Sequence, residues 1–291
     1  MPRTLQPGQR AQLFTVDATT GEATLVAESS ELLFEAPNWT PDGRYLVVNG
    51  DGRLFRVPVE GGEFEEIDLG GVRELNNDHV LSPDGATVYV SSDDGHLYAV
   101  PFAGGSARRV SNDRGPNFRY YLHGISPDGG QLAYIGLEVK GDVVRTNVFT
   151  IPAAGGADMQ LTNEDAPHDG SEFSPDGQWI YFNSERASTE PGHAQLFRMS
   201  LDGEDITQLT FDERVNWFPH LSPGGDRLAY VSFPPGTLGH PADLDVIIRV
   251  AEADGDGTRD LVHLFGGQGT LNVNSWDPTG TRLAYVAYPI G

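Results

Sequence analysis

Ser82-Pro83-Asp84-Gly85, followed by the apolar run Val88-Tyr89-Val90, decides the fold because the same arrangement recurs along the chain. Proline fixes φ inside a tight turn and glycine supplies the positive φ that ends it, so each copy predicts a hairpin turn between two strands. Six such turns are present, and they begin at Thr40, Ser82, Ser126, Ser174, Ser222 and Asp277. Their spacing of roughly 40–50 residues is typical of propeller blades.

A second hairpin follows in each of the first five copies. Leu97-Tyr98-Ala99-Val100, for example, leads into Gly104-Gly105. One repeat therefore contains four strands, which predicts a blade of four antiparallel strands. The last copy stops after two strands, and the run Leu13-Phe14-Thr15-Val16 before Gly21 supplies the missing half.

The sequence therefore predicts an all-β, six-bladed β-propeller in a single domain, 1–291. Its N-terminal strands are expected to complete the C-terminal blade and so close the ring, which removes free sheet edges. The expected blades cover approximately 34–70, 76–111, 118–163, 168–211, 216–264, and 272–291 together with 11–29.

Charge and composition exclude several classes of partner. The 291 residues include 42 Asp and Glu against 19 Lys and Arg, a formal net charge of -23. Nucleic acids and anionic membranes both require clustered Lys and Arg, so we expect neither as a partner. We expect a cytoplasmic protein, because no apolar run follows Arg3 as a secretory signal would require. The chain has no Cys, which excludes disulfides and thiol chemistry.

Blade topology sorts the loops onto two faces. The Pro-containing turns and the glycine turns share one face, which we call the turn face. The connections between blades and the loops between second and third strands share the other, which we call the loop face. The irregular insertions 138–146, 185–195 and 234–243 all fall on the loop face. Variable loops on a rigid repeat scaffold commonly carry binding sites, so we expect the site at the loop-face mouth of the central channel.

Histidines point to the same mouth. All of them except His263 are predicted in loop-face segments or near the starts of innermost strands. Neutral imidazole serves as a metal ligand or a general base, although a single His at a strand start also commonly caps backbone groups or packs on aromatic neighbours. Strand alternation puts Asp78 and His79 on opposite sides, so these two do not form a dyad.

The repeats resemble those of TolB-type propellers over essentially the whole chain, which implies the same six-bladed fold. The second half is similar to a bacterial TolB-like subgroup, assumed to be cytoplasmic, in Asn216-Trp217-Phe218-Pro219-His220, Gly239-His240-Pro241 and the segment 265–272. A more distant resemblance is to the propeller-type oligogalacturonate lyase, which implies a divalent metal (Mn, Zn or Fe) held by His and Gln side chains. In this chain the resemblance implies the ligands His220 and Gln268, with Asn272 and Asn274 where it would imply His. We add His240 to the candidate metal ligands, and the alternative role of these three residues is to polarise the ligand directly.

The first functional hypothesis is a small-molecule site for a carbohydrate, either a uronate or a keto-sugar. If the protein is an enzyme, a lyase or isomerase is expected, in which a metal acidifies a proton next to a carbonyl and a His removes it. His79 and His123 are the candidate catalytic residues. The candidate ligand-binding residues are Asp169, Glu172, Arg186, Trp217, Asn272 and Asn274.

Several of these residues also have a purely structural role as an alternative. Trp217 suits core packing as well as sugar stacking, and Arg186 suits a surface ion pair. The second functional hypothesis is a non-catalytic scaffold that presents its loop face to a protein partner, since the fold alone does not choose between the two.

Overall fold

The Pro-containing turns are tight hairpin turns in the computed structural model, which describes residues 3–291. In each turn the fourth residue donates its N–H to the carbonyl of the first, as Gly129 does to Ser126 at 2.8 Å. Gly129 has φ of 72°, a conformation that favours glycine. The sequence prediction of these turns is confirmed.

The described residues contain strands and no helix, and none of their elements could therefore cross a membrane as a helix. The strands are, in chain order, β1 (Ala11–Asp17), β2 (Ala23–Ser29), β3 (Phe34–Trp39), β4 (Tyr45–Gly50), β5 (Arg53–Pro58), β6 (Glu65–Glu66), β7 (Leu75–Leu81), β8 (Thr87–Ser92), β9 (Leu97–Pro101), β10 (Arg108–Arg109), β11 (Phe118–Ile125), β12 (Gln131–Lys140), β13 (Val143–Pro152), β14 (Met159–Gln160), β15 (His168–Phe173), β16 (Trp179–Ser184), β17 (Gln195–Ser200), β18 (Thr207–Gln208), β19 (Val215–Leu221), β20 (Arg227–Phe233), β21 (Ala242–Glu252), β22 (Arg259–Gly267) and β23 (Arg282–Ala287).

Five blades are four-stranded antiparallel sheets, each built from four consecutive strands: β3–β6, β7–β10, β11–β14, β15–β18 and β19–β22. The sixth has the strand order β2-β1-β23, and its innermost strand is reduced to a bridge between Trp276 and Leu283. β1 pairs with β23 in antiparallel register, with Leu13 opposite Val286. The predicted six-bladed propeller, closed by its N-terminal strands, is confirmed.

The hydrophobic core lies between neighbouring blades. Phe173 of the fourth blade packs with Ala133 and Ile135 of the third, and Leu81 of the second packs with Val47 of the first. Fully burying one such large side chain stabilises the fold by about 1.5–3 kcal/mol. The aromatic and aliphatic residues two positions before the turn prolines therefore hold blades together, as the sequence indicated.

The innermost strands are irregular in all five four-stranded blades. Each of β3, β7, β11, β15 and β19 shifts register against its partner before reaching the turn. Gly170 in β15 and Phe218 in β19 take positive φ at these irregularities, 64° and 57°. Because an extra residue redirects the side chains beside it, these bulges decide which groups face the channel.

Candidate functional site

A cavity of about 380 Å³ lies at the loop-face end of the channel. We call it the loop-face cavity, and its size falls within the range of ~300–1,000 Å³ typical of small-molecule sites. Its lining comprises Asn76, Asn77, Asp78, Tyr121, His123, Ile135, Leu137, Thr146, Asp169, Phe218, His240, Gln268 and Asn272. The structure thus brings together five of the predicted site residues, His123, Asp169, His240, Gln268 and Asn272.

Asp169 lies between two imidazoles. Its Oδ1 is 2.8 Å from Nε2 of His123, and its Oδ2 is 3.6 Å from Nε2 of His240. The N–H of Gly170 also donates to Oδ1, at 2.8 Å. Burial by itself would raise the pKa of Asp169, but the two histidines outweigh it and hold this pKa well below its ordinary value. Asp169 is therefore a fixed anion.

His123 is buried against Phe218, whose ring stacks on it with centroids 5.8 Å apart. Burial disfavours the imidazolium, but the carboxylates of Asp78 and Asp169 more than compensate and raise the pKa of His123 to about 9. At neutral pH His123 is therefore an imidazolium whose Nε2 lies against Asp169.

Asp78 is the second carboxylate of the cavity. Its Oδ2 accepts a hydrogen bond from Nδ2 of Asn76 at 2.8 Å. Burial raises the pKa of Asp78 to about 6; His123 acts in the opposite direction, and the like charge of Asp169 adds to the rise. Two carboxylates with opposite pKa shifts in one cavity are the pattern expected of an acid–base site.

Asp78 was not among the predicted site residues, although a signal for it exists. Asp78 and His79 are adjacent in one strand, so their side chains point to opposite faces of the sheet and one of them faces the channel. The polar run Asn76-Asn77-Asp78 favours Asp78 as that residue. Phe218, Tyr121 and Thr146 were also not predicted; their places in the lining follow from the inner-strand bulge and from the long β12–β13 hairpin.

His240 and Gln268 form the wall contributed by the fifth blade. Nδ1 of His240 contacts Oε1 of Gln268, which also accepts a hydrogen bond from Nδ2 of Asn272 at 3.2 Å. The Trp217 ring packs against His240 with centroids 4.5 Å apart. Trp217 is 6% exposed and is absent from the cavity lining, so its place is that of core packing, the role that the sequence left open beside sugar stacking.

His79 and Arg186 are among the predicted site residues that lie outside the cavity lining. His79 is buried, with Nε2 3.3 Å from the carbonyl oxygen of Val47, and burial lowers its pKa to about 4. It therefore packs between the first two blades as a neutral ring, which corrects its assignment to proton transfer. Arg186 pairs with Glu164 at 2.7 Å, the ordinary ion pair that the sequence left open.

A second cavity, of about 310 Å³, lies at the other end of the channel. We call it the turn-face cavity. The turn prolines, Trp39 and Trp276 line it together with Glu172 and Asn274, and His123 lines both cavities. Glu172 and Asn274 were predicted to bind the same ligand as Asp169, and the structure places them at the opposite end.

Glu172 is fully occupied by its own neighbours. Its Oε2 lies 2.6 Å from Nδ1 of His220, and its Oε1 accepts from the N–H of Leu221 at 3.1 Å and from Nδ2 of Asn274 at 2.6 Å. The other ring nitrogen of His220 donates to the carbonyl oxygen of Leu271 at 3.1 Å. Neither nitrogen of His220 is therefore available as a metal ligand.

The expected metal ligands do not form one centre. His240 and Gln268 line the loop-face cavity, whereas His220 is committed to Glu172. Within residues 3–291, no group of three or more His, Cys, Asp or Glu side chains has an arrangement that could hold a metal ion. The residues present do not fit the metal site that the lyase resemblance implied.

Fold and site together define a six-bladed β-propeller with a polar cavity at one end of its channel. Residues 123–242 match the TolB beta propeller domain. The uncharacterized protein Atu1656 of Agrobacterium fabrum is 38% identical over 285 residues, which cover 96% of this chain and 92% of that protein. The chain belongs to the TolB-like β-propeller family, which confirms the resemblance found in the sequence.

Solved structures agree with this assignment. A TolB-like protein of Agrobacterium tumefaciens superposes with a TM-score of 0.87 at 36% identity, over 97% of this chain and 99% of that one. An oligogalacturonate lyase in complex with manganese has a TM-score of 0.60 at 17% identity, over 90% of this chain and 75% of that one. At such identity the lyase shares the fold with this chain, and the similarity reaches no further.

Proposed function

We propose that this propeller binds a carbohydrate in the loop-face cavity and carries out acid–base chemistry on it, of the isomerase or lyase type. The observation that carries the proposal is the pair of carboxylates with opposite pKa shifts, Asp78 raised and Asp169 lowered, beside a buried, protonated His123. Such a separation of roles between titratable groups is characteristic of catalytic sites.

The lining favours a neutral sugar over a uronate. None of the side chains that form the cavity wall is Lys or Arg, and the charge of His123 is balanced by Asp169. An anionic uronate would therefore meet a carboxylate without a free cation to pair with. The amides of the lining suit hydroxyl groups, while Ile135, Leu137 and Phe218 suit the apolar C–H face of a sugar ring. A keto-sugar is the ligand class that these groups fit best.

The roles of the titratable groups follow from their protonation. Asp78, with a pKa of about 6, accepts the proton from the carbon next to the sugar carbonyl. The electron pair of that C–H bond moves toward the carbonyl, and His123 donates its proton to the carbonyl oxygen. In an isomerase, Asp78 then returns its proton to the former carbonyl carbon, and the hydroxyl on the other enediol carbon loses its proton to His123 as the new carbonyl forms. In a lyase, the enol hydroxyl returns its proton to His123, the carbonyl forms again, and a substituent one carbon further along leaves with the proton held by Asp78.

The distant lyase relative is known in complex with manganese, but no step of this proposal passes through a metal. The ligands that the resemblance implied are divided between the cavity wall and the Glu172–His220 pair. Elemental analysis of protein purified without chelators checks this point. About one equivalent of bound Mn, Zn or Fe that is lost in His240→Ala would show that the cavity binds a metal after all.

A protein-binding loop face is the alternative function. The exposed apolar side chains of this face belong to separate segments, with Val143 and Val144 on one hairpin, Phe211 on a blade connection and Leu238 on another insertion. A polar cavity lined by two histidines supports the small-molecule function more directly.

Saturation-transfer NMR and calorimetry with fructose, galacturonate and glucosamine test the proposal. We expect fructose to bind, and Asp78→Asn and His123→Gln to weaken its binding at least 10-fold. His263→Gln is the matched control, because this His is 73% exposed on an outer strand. If no sugar binds, or if the cavity variants bind as the control does, the proposal is wrong.

A further inference from the structure

The segment of residues 3–9 reaches across to the fifth and sixth blades. We call it the N-terminal arm. Arg3 leads it, and its side chain is only 18% exposed although it lies almost at the chain end. The guanidinium sits 4.1 Å above the ring of Tyr288 and pairs with Glu35 at 3.1 Å. Arg3 is thus anchored from two sides in the first and sixth blades.

Asp243 receives the arm on the fifth blade. Its carboxylate accepts hydrogen bonds from Nη2 of Arg3 at 2.8 Å, from Nε2 of Gln6 at 2.9 Å and from Nε2 of Gln9 at 2.6 Å. Asp243 has φ of 63°, which is strained for a residue with a side chain. It follows His240 by three residues, so three side chains of the arm hold the segment that carries this histidine.

Arg3 also holds the facing loop. Its Nη1 donates to the carbonyl oxygen of Gln268 at 2.9 Å. The N–H of Gln268 in turn donates to the carbonyl oxygen of Pro241 at 3.1 Å, and its side chain contacts His240. One guanidinium therefore joins both segments that form the fifth-blade wall of the loop-face cavity, one through the carboxylate of Asp243 and the other through the backbone of Gln268.

The packing around this loop leaves little room for another arrangement. A side chain at Gly269 would come within 2.5 Å of both Glu35 Oε1 and the hydroxyl of Tyr288. The two terminal nitrogens of the Arg3 guanidinium bind Asp243, Glu35 and Gln268 at the same time. A single ammonium group could not reach all three acceptors, so we expect lysine to be a poor substitute here.

We propose that Arg3 is a positioning residue, and that the N-terminal arm sets the orientation of His240 and Gln268 in the cavity wall. The expected effect of Arg3 on ligand affinity rests on the proposed function. The expected effect on the order of the cavity wall is independent of that function, so the two effects can be tested separately.

The test compares Arg3→Ala with Arg10→Ala in the full chain. Arg10 is the matched control, because it also makes a 2.8 Å ion pair, with Glu28, but lies 56% exposed and away from the wall. Hydrogen exchange is measured at the amides of Gln268 and Thr270, which donate to Pro241 and Gly267. We expect exchange there to become at least 10-fold faster in Arg3→Ala and to stay unchanged in Arg10→Ala.

Affinity for fructose is the second readout, with Arg3→Lys and added ethylguanidinium as rescue conditions. We expect Arg3→Ala to weaken binding at least 10-fold, ethylguanidinium to restore part of that loss, and Arg3→Lys to recover less than the free guanidinium does. Unchanged exchange at Gln268 and Thr270, or faster exchange with unchanged affinity, overturns the inference. If the wild-type protein binds no fructose, the proposed function fails, and the exchange result alone decides whether the arm orders the wall.

Discussion

The two ends of the channel each hold a buried carboxylate–imidazole pair, and the pairs differ in what surrounds them. At the turn end, Glu172 and His220 have all their hydrogen bonds with the protein itself, to Leu221, Asn274 and Leu271. At the loop end, Asp169 and His123 share a cavity wall with a second carboxylate and a second imidazole. The turn-end pair has its hydrogen bonds satisfied by the protein, which suits a structural role, whereas the loop-end pair lies beside the further titratable groups that the proposed function uses.

Exposure follows the same division. The side chain of Glu172 is 8% exposed and that of Asp169 is 22% exposed, while both histidines are buried. The turn end is surrounded by six short, similar turns, whereas the loop end is built from insertions of unequal length. The comparison predicts that substitutions at the turn end change stability and leave sugar binding unchanged, whereas those at the loop end weaken binding.

The largest effect is expected at the turn end. Glu172→Ala leaves His220 buried without its partner, and removing one member of a buried pair lowers the free energy of unfolding by about 3–5 kcal/mol. Urea unfolding at neutral pH measures it. Glu164→Ala, which breaks the half-exposed pair with Arg186, serves as control and should lower stability by less than about 1 kcal/mol. Equal losses in the two variants would contradict the structural role of Glu172.

The next effect is the pH dependence contributed by His123. Its folded-state pKa of about 9 lies above the ordinary value of about 6.5, so its stabilisation is complete below pH 6.5 and is lost as the pH rises through 9. We expect about 3 kcal/mol of unfolding free energy to disappear between pH 6.5 and 9.5, as measured by urea unfolding.

His123→Gln should remove this slope. His79→Gln should keep it, because His79, with a pKa of about 4, stays neutral over the whole interval. A wild-type protein whose stability is flat over this range would show that the loop-end pair is not charged as described.

Asp78→Asn is expected to stabilise the protein while it weakens sugar binding. The folded-state pKa of about 6 lies above the unfolded value of about 3.9, so the ionised Asp78 opposes folding at pH 7 and its removal gains about 2 kcal/mol. Thermal or urea unfolding at pH 7 and at pH 4 checks the sign, because the gain should vanish at the lower pH. A loss of stability at pH 7 would place Asp78 among the structural carboxylates with Glu172.

The smallest effect concerns the turns themselves. Gly129→Ala puts a side chain at φ of 72° and 3.3 Å from Pro83, and should lower stability by about 1 kcal/mol. Gly130→Ala is the control, since Gly130 lies in the same turn but has no positive φ, and its nearest neighbour is a side-chain oxygen of Asp128. Sugar affinity should be unchanged in both variants; a loss of affinity would show that the two channel ends are coupled.

The fold could be predicted from the sequence because the turns carry their own geometry. Proline and glycine at fixed positions in six copies set the strand order, and the split copy set the closure of the ring. The loop face could be chosen as the site for the same reason, since irregular insertions stand out against a regular repeat.

The side chains that share a cavity could be predicted only in part. Histidine spacing predicted equivalent positions for His123 and His220 near the starts of innermost strands. The local strand register gives them different partners, because His220 pairs with Glu172 and His123 pairs with Asp169. The bulges behind this difference depend on non-local packing, such as Phe218 held at positive φ against His123. The contacts of Arg3, which lie far away in sequence, leave no local signal at all.

Proton exchange is the most direct test of whether the loop-face cavity is an acid–base site. Fructose is incubated with the protein in D2O, and deuterium at the carbons next to the carbonyl is followed by mass spectrometry. We expect incorporation with the wild-type protein and with His263→Gln, and none above background with Asp78→Asn or His123→Gln. Wild-type protein that binds the sugar but exchanges no proton, or exchange that is equal in all variants, would contradict the acid–base assignment.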